Sequence, residues 1–502
     1  MPSLDLRLAA WCVLDDAGDP ASLTPRGGRL DTVESRGTLV HEESSPPGGA
    51  SVPLGALLVR LITAEDLAAP SSRHRLGACD EVVFSRSDAN GGRTQDRTLS
   101  IAIDDRYVSG HHLRIFREGG RWIALDEGST NGTFVEGRRL GRGERSLLAD
   151  EALLEVGHTF FLFRDGADGA ADTPRLTAPA RRDGFEPSTL NPEWELELSR
   201  IERLARTGHE LLVEGESGVG KEVLARALHG RSGRTGPLVG VNCGALAENL
   251  LDDELFGHVK GAFSGAQSDR QGLIRAAHQG TLLLDEVGEM PPALQVKLLR
   301  VLEDHRVRPI GTEAETTVDV RVIAATHRDL RKLVAEGTFR QDLLARLGLL
   351  STRVPSVRDR REDLGILIRS VLRAASLPLE GIRFDLDALR LLLLHDWPLN
   401  VRELRQALLV AVDLARGDGS SPVVLLPHHL PPGVREGASR APRLQEPDRA
   451  LDPEEQAQRE RVAALLRLHA GNVTAVAREL GLPRTNLQRL MGRLGIGRTD
   501  GG

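Results

Sequence analysis

The residues best suited to chemistry lie between 215 and 286. Gly215-Glu216-Ser217-Gly218-Val219-Gly220-Lys221 follows the apolar run LLVE and leads into KEVLARALHG, which has helical spacing. Glycines let backbone N–H groups close around phosphate oxygens, a helix N-terminus favours negative charge, and the Lys221 ammonium can reach the β- and γ-phosphates of a nucleotide. On its own such a segment can also be no more than a glycine-rich turn. Glu222 comes next, where the general phosphate-loop pattern has Ser or Thr for magnesium. The second group is Thr281–Glu286 (TLLLDE), an apolar strand ending in two carboxylates. Asp285 can hold the shell of a Mg2+ ion and Glu286 can polarise an attacking water. Together the two segments describe ATP hydrolysis.

Such groups must be held by a scaffold, and the flanking text supplies one. From 184 to 352 strand-like runs (LLVE, TLLLDE, VRVIAAT) alternate with amphipathic runs such as PALQVKLLRVLED, which predicts an α/β body with a parallel, helix-covered sheet. A mainly helical segment follows over 353–417. Before this body, residues 54–164 carry short β-type runs (LLVRLI, EVVF, LSIAI, HLRIF, WIAL, GTFV, TFFLF) between Gly- and Asp-rich turns, the pattern of a β-sandwich. Residues 1–53 mix Gly, Pro, Ser and acids without lasting periodicity and read as disordered. Residues 165–183 and 418–453 read as linkers, and 454–498 as a small all-α unit.

The 502 residues suit about three domains, and 40% apolar with 27% charged side chains is an ordinary soluble composition. Three dispersed cysteines exclude a disulfide scaffold and a cysteine-rich zinc site. No apolar run approaches the ~18 residues that cross a bilayer, so a cytoplasmic location is expected. The net charge of −7 argues against a general polyanion binder. The C-terminal end differs: within 471–502 five arginines (478, 484, 489, 493, 498) oppose Glu479 and Asp500, a local +3. Helices joined by Gly471-Asn472 and a tight turn, with Pro483 opening the last one, suit a major groove.

Residues 184–417 resemble the AAA+ domain of bacterial enhancer-binding proteins, the ATPases that activate sigma-54 RNA polymerase. The resemblance rests on GESGVGKE (215–222), VNCGAL (241–246), DELFGHVKGAFSGA (253–266), GTLLLDEVGEM (280–290), FRQDLLARL (339–347) and WPLNVREL (397–404). That family carries Glu at the position of Glu222. The resemblance implies ATP and Mg2+ as cofactors, with Gly215, Glu216, Ser217, Gly218, Val219, Gly220, Lys221 and Glu222 around the nucleotide and Asp285 on the metal. It implies that Asn242 holds the catalytic Glu286 until the site is set and that His327 senses the γ-phosphate. Arg340 and Arg346 would reach a neighbouring subunit's nucleotide, Arg402 would be the lid sensor, and the active state would be a homo-hexamer. GAFSGA (Gly261, Ala262, Phe263, Ser264, Gly265, Ala266) would touch sigma-54. Ser264 stands where Thr is usual, Leu399 where Gly is usual, and the adenine-seating motif is not recognisable in 184–201.

Residues 54–164 resemble a forkhead-associated (FHA) domain through EVVFSRSD (81–88), DDRYVSGHHLRI (104–115) and DEGSTNGTFVEGRRL (126–140). This implies phosphothreonine binding, with Arg86 and Ser109 on the phosphate, Thr130 and Asn131 on the peptide backbone, and His112 bracing the loop. Ser85 and Gly110 depart from the usual Gly and basic residue. The tail resembles a Fis-type helix-turn-helix, with Arg484, Thr485, Asn486, Gln488 and Arg489 facing DNA. The expected architecture is thus an all-β FHA sandwich, an α/β AAA+ P-loop ATPase with helical lid, and an all-α helix-turn-helix. The expected function is a sigma-54-dependent activator with polymerase, enhancer DNA and a threonine-phosphorylated protein as partners. Two other readings fit the residues: a phosphopeptide-binding ATPase adaptor, and a DNA-binding regulator acting without sigma-54.

Overall fold

The computed structural model describes residues 55–166, 188–419, 421–437, 453–469, 473–481, 487 and 490–491. The segment 1–53, nearly all of 165–183 and all five residues expected to face DNA lie outside these.

The first unit is a sandwich of two six-stranded sheets. Its strands are β1 (Leu57–Thr63), β2 (Ser72–Arg75), β3 (Glu81–Arg86), β4 (Gly91–Gln95), β5 (Thr98–Ile103), β6 (Leu113–Glu118), β7 (Arg121–Asp126), β8 (Thr133–Val135), β9 (Arg138–Arg139), β10 (Arg145–Leu147), β11 (Leu153–Val156) and β12 (Thr159–Arg164). One sheet runs β2-β1-β12-β11-β8-β9 and the other β10-β7-β6-β3-β5-β4. Leu58, Phe84, Ile115, Trp122, Phe161 and Phe163 fill the space between them. The sequence gives seven strand-like runs where the sandwich has twelve strands. The unread ones are mostly short polar edges such as SRHR, GGRTQ and RR, which have too few apolar residues to show alternation.

The second unit carries a five-stranded parallel sheet. Its strands are β13 (Leu211–Glu214), β14 (Leu238–Asn242), β15 (Thr281–Asp285), β18 (Arg321–Thr326) and β19 (Ser351–Arg353), in the order β14-β15-β18-β13-β19. A small hairpin, β16 (Arg306–Val307) with β17 (Thr316–Thr317), stands apart. Helices α1 (Pro192–Ala205), α2 (Lys221–Arg231), α3 (Glu248–Phe256), α4 (Leu273–Ala276), α5 (Pro292–Asp304), α6 (Leu330–Ala335) and α7 (Gln341–Leu347) surround the sheet. Asn191 starts α1 as its cap, accepting the Trp194 N–H at 2.9 Å. The sheet is buried on both faces, by Leu251, Leu255 and Leu298 on one and by Leu224, Leu228 and Ile201 on the other.

The lid contains α8 (Leu364–Ala374), α9 (Leu386–Leu394) and α10 (Asn400–Gly417). It does not stop at 417. Residues expected to begin a linker at 418 instead form β21 (Val423–Leu425), paired in parallel with β20 (Ile382–Phe384), and α11 (Pro432–Gly437). Leu425, Leu430 and Val434 are buried in the lid core, so apolar side chains spaced among prolines hold this stretch in place. The C-terminal unit shows α12 (Pro453–Leu468) and α13 (Val473–Glu479), packed through Val462, Leu466, Val476, Leu487 and Met491.

Candidate nucleotide site

The sheet order places the ends of β13 and β15 on either side of β18. From β13 the chain turns through 215–220 into α2. Gly218 has φ +77°, and a Cβ there would sit 2.4 Å from the Leu399 carbonyl oxygen of the lid, so both conformation and space demand glycine. The Lys221 ammonium is buried and donates to the carbonyls of Gly215 (3.0 Å) and Glu216 (3.2 Å), with a Glu286 oxygen 3.9 Å away. Burial lowers its pKa, and the charges of Glu286 and Asp285 work against that shift. The loop's turn thus keeps a cation beside two carboxylates.

Parallel pairing sets Asn242 level with Asp285, and the Asn242 amide donates to Asp285 Oδ2 at 3.3 Å. Here the Asn242 amide thus meets the first acid of the pair, next to the Glu286 it is expected to hold. Glu286 has the left-handed φ of +51° and is held by His327, whose backbone N–H (3.3 Å) and ring Nδ1 (2.5 Å) meet Glu286 Oε2. The residue expected to sense the nucleotide thus contacts the carboxylate expected to polarise water. Asp285 is raised above the usual carboxylate range, first by burial and then by the neighbouring Glu286 charge.

The lid closes on the same loop through the expected sensor Arg402 and through Arg358, Arg360 and Asn400, which the sequence alone does not mark as site residues. Arg358 grips the Glu216 carboxylate (one bond at 2.9 Å) and holds its pKa below the usual range. Asn400, fully buried with φ +59°, donates to Glu216 Oε2 and Ser217 O, both at 3.1 Å, and accepts the Val357 N–H at 2.9 Å. Arg360 donates to Val219 O at 2.9 Å and Arg402 to Ser217 Oγ at 3.0 Å. Glu216 therefore serves as the lid's anchor on the loop. Leu399 takes an ordinary φ of −99° with its side chain exposed, so the missing glycine costs no strain. Glu222 is exposed and pairs with Arg226 one turn along α2 at 2.5 Å. Arg340 is exposed and bonded twice to Asp342, while Arg346 reaches Leu302 O (3.1 Å) and Glu210 (3.3 Å).

Residues 261–266 stand apart as a tight turn, with Gly261 N donating to Ala266 O (2.9 Å) and Ala266 N to Phe263 O (3.0 Å). Phe263 is 46% exposed, and its ring rests edge-on against His258, 4.9 Å between centroids. His258 and Arg270 both bond Asp253, pinning the turn's base to α3. A large apolar ring is thus presented on a fixed pedestal.

On the sandwich, Arg86, Ser109, Thr130 and Asn131 gather at one end. Ser109 Oγ accepts the Thr130 N–H at 3.1 Å, and Asn131 donates to Tyr107 O at 2.8 Å. The buried His112 ring bonds Ser109 N (3.0 Å) and Gly132 O (3.2 Å), the brace expected of it. Asp126 fixes the loop after β7 by accepting from Gly128 N, Ser129 N, Ser129 Oγ and Thr133 Oγ1 within 2.7–2.9 Å. The Arg86 guanidinium is exposed and makes no ion pair among the described residues. A fork-shaped cation next to a hydroxyl and loop amides can take a doubly charged phosphate.

A parallel sheet with a glycine loop between β13 and α2, paired acids at the end of β15 and a helical lid define an AAA+ P-loop ATPase. Family comparison matches the sigma-54 interaction domain over residues 189–353. It matches the FHA domain over 91–157, the AAA+ ATPase lid domain over 358–447 and the Fis family of bacterial regulatory proteins over 455–494. The chain is similar to the transcriptional regulatory protein GlrR of Escherichia coli, 40% identical over 328 residues that span 64% of this chain and 71% of that protein. It is also similar to the response regulator protein PilR of Pseudomonas aeruginosa, 41% identical across 59% of this chain and 67% of that one. Among solved structures, NtrX of Brucella abortus in complex with ATP is 33% identical over 62% of this chain and 70% of its own, with a TM-score of 0.47. The chain belongs to the family of sigma-54-dependent transcriptional regulators, here with an FHA domain and a Fis-type helix-turn-helix in one polypeptide. Among the described residues no helix is long and apolar enough to cross a membrane.

Proposed function

We propose that this protein activates transcription by coupling ATP hydrolysis to remodelling of the sigma-54 polymerase closed complex, under control of phosphothreonine captured by the FHA domain. The observation that carries the reading is the pairing, within one domain, of the Lys221–Asp285–Glu286 cluster with an exposed Phe263 held on a pinned turn. Lys221 binds the phosphates and Glu286 orients water. Two carboxylates against one lysine leave surplus negative charge at the site, a donor set that fits a divalent cation. Asp285 would hold Mg2+, which offsets phosphate charge when bound. Arg340 and Arg346, at the exposed end of the body, suit a neighbouring protomer's nucleotide in a homo-hexamer, since a cation supplied in trans stabilises the charge that develops in phosphoryl transfer. Phe263 meets sigma-54, and Arg484, Thr485, Asn486, Gln488 and Arg489 tether the ring to enhancer DNA. Arg86 and Ser109 take the phosphate of a threonine-phosphorylated partner, with Thr130 and Asn131 on its backbone.

The test is Phe263→Ala in the full chain. ATP turnover should stay within about threefold of wild type while ATP-dependent binding to sigma-54 polymerase is lost. Retained polymerase binding would remove the sigma-54 contact from this turn.

A further inference from the structure

The 165–183 segment reads as a linker, yet the sandwich is built into the lid. Every residue of β1 and of β12 is buried, on both faces of the sheet. Leu58 and Phe161 face the sandwich core, whereas Leu61 and Leu162 face α8 of the lid in a second core with Ile368 and Leu372. Polar side chains of lid and sandwich bond one another across this seam. Arg369 of α8 donates to Leu61 O (3.4 Å), Ala69 O (3.3 Å) and Ser71 Oγ (2.5 Å) of the sandwich. Arg164 at the end of β12 bonds the fully buried Glu362 and, at 3.0 Å, Asp150. Arg390 of α9 donates to Glu155 of β11 at 2.7 Å. At Gly365 the fit is closest: a Cβ would lie 1.9 Å from Leu61 O, so α8 touches β1 backbone to backbone.

Both ends of this body meet a ligand site. At one end the lid holds the phosphate loop through Glu216, Ser217 and Val219. At the other, the Ser109 and Asn131 loops join the β11–β12 turn. Tyr107, whose carbonyl accepts from Asn131, stacks on His158 at 3.5 Å between centroids. Asp105 accepts from His158 N at 2.7 Å and from Thr159 Oγ1 at 3.1 Å, and Thr159 begins β12. Strand β12 then supplies Leu162 and Arg164 to the seam.

We propose that sandwich and lid move as one body, so that phosphothreonine capture on the sandwich loops changes how the lid sits on the phosphate loop and hence the affinity for ATP. This rests on the phosphothreonine reading above and names the route by which the signal reaches the ATPase. Coupling of this kind is reciprocal: whatever peptide does to ATP affinity, ATP does to peptide affinity by the same factor.

The probes are a fluorescent ATP analogue and a phosphothreonine peptide pool with degenerate flanks, its unphosphorylated twin serving as control, all on the full chain. In wild type, saturating phosphopeptide should change the dissociation constant of the ATP analogue about fivefold or more, with a matching reciprocal shift. Gly365→Val should bind both probes while the coupling falls below about twofold, because the wedge opens the seam away from either site. Phosphopeptide that binds yet leaves ATP affinity unchanged overturns the coupling and leaves the sensor standing. Full coupling in Gly365→Val overturns the seam as its route. A pool that never binds removes the sensor reading and the coupling with it. If Gly365→Val fails to fold, hydrogen exchange of wild type decides: β1 and α8 should lose protection in a single opening, and separate openings refute the one-body claim.

Discussion

Replacing Asn400 by alanine should release the lid from the phosphate loop. Its Oδ1 is the acceptor for the Val357 N–H (2.9 Å), and its Nδ2 bonds Glu216 and Ser217 O (3.1 Å each), all at a fully buried position. Without the amide, lid and loop lose the bonds to the Glu216 carboxylate and the Ser217 carbonyl, together about 2 kcal/mol net. Asparagine also tolerates the left-handed φ of +59° found here, and alanine there adds about 1 kcal/mol. The sum, about 3 kcal/mol, shifts lid docking by up to about 100-fold. Since a competent state present in smaller fraction weakens apparent affinity in proportion, a fluorescent ATP analogue should bind up to about 100-fold more weakly. Asn400→Gly loses the same bonds without the conformational penalty and should be about fivefold milder. A folded Asn400→Ala protein that binds ATP within twofold of wild type would refute this reasoning.

Three further outcomes are expected. Glu286→Gln keeps the size of the side chain but not its charge, so ATP turnover should fall about 10²–10⁴-fold with binding nearly unchanged; a variant keeping a tenth of the wild-type rate would exclude Glu286 as the water-orienting group. Arg86→Ala should cut phosphothreonine-peptide binding about tenfold or more, yet, since the side chain is exposed, move stability by less than about 0.5 kcal/mol; calorimetry on the same sample reads both. Asp363, buried beneath Arg360 and bonded by Leu190 N and Thr189, has its carboxyl pushed up to about 6 by burial, against the pull of Arg360. Its folded pKa lies above the unfolded value, so its contribution is fully present below about pH 4 and is lost as pH rises through 6, on the order of 3 kcal/mol in all. Asp363→Asn should flatten that part of the melting-temperature profile, and an unchanged slope would show that Asp363 does not titrate there.

The chemistry-bearing text was legible because phosphate loops and paired acids are contiguous: Gly215–Lys221 and Thr281–Glu286 each occupy one turn or strand. The partners of those groups were not. Arg358 and Asn400 lie far along the chain from Glu216 and meet it only when the lid folds back. The contacts of Asn242 with Asp285 and of His327 with Glu286 were hidden for a similar reason. Register puts Asn242 level with Asp285, while the left-handed turn at Glu286 swings that carboxylate toward β18. The seam did leave a trace. LLVRLIT and TFFLFR lack the alternation of a strand with one wet face, and continuous apolar runs of that length mark burial on both sides. Which element covers them could not be read, since α8 is about two hundred residues beyond β12. The lid beyond 417 was missed because Pro- and Gly-rich text outweighed the few apolar residues, Leu425, Leu430 and Val434, that anchor it.

The central claim is that this chain spends ATP to open promoters bound by sigma-54 polymerase. The direct measurement is permanganate reactivity of promoter thymines in a closed complex with the full chain, with ATP or a non-hydrolysable analogue, and with or without the phosphothreonine peptide pool. The account predicts strand opening only with hydrolysable ATP, a changed extent with phosphopeptide, and none from Glu286→Gln or Phe263→Ala. Brisk ATP hydrolysis with no opening under any of these conditions would contradict it.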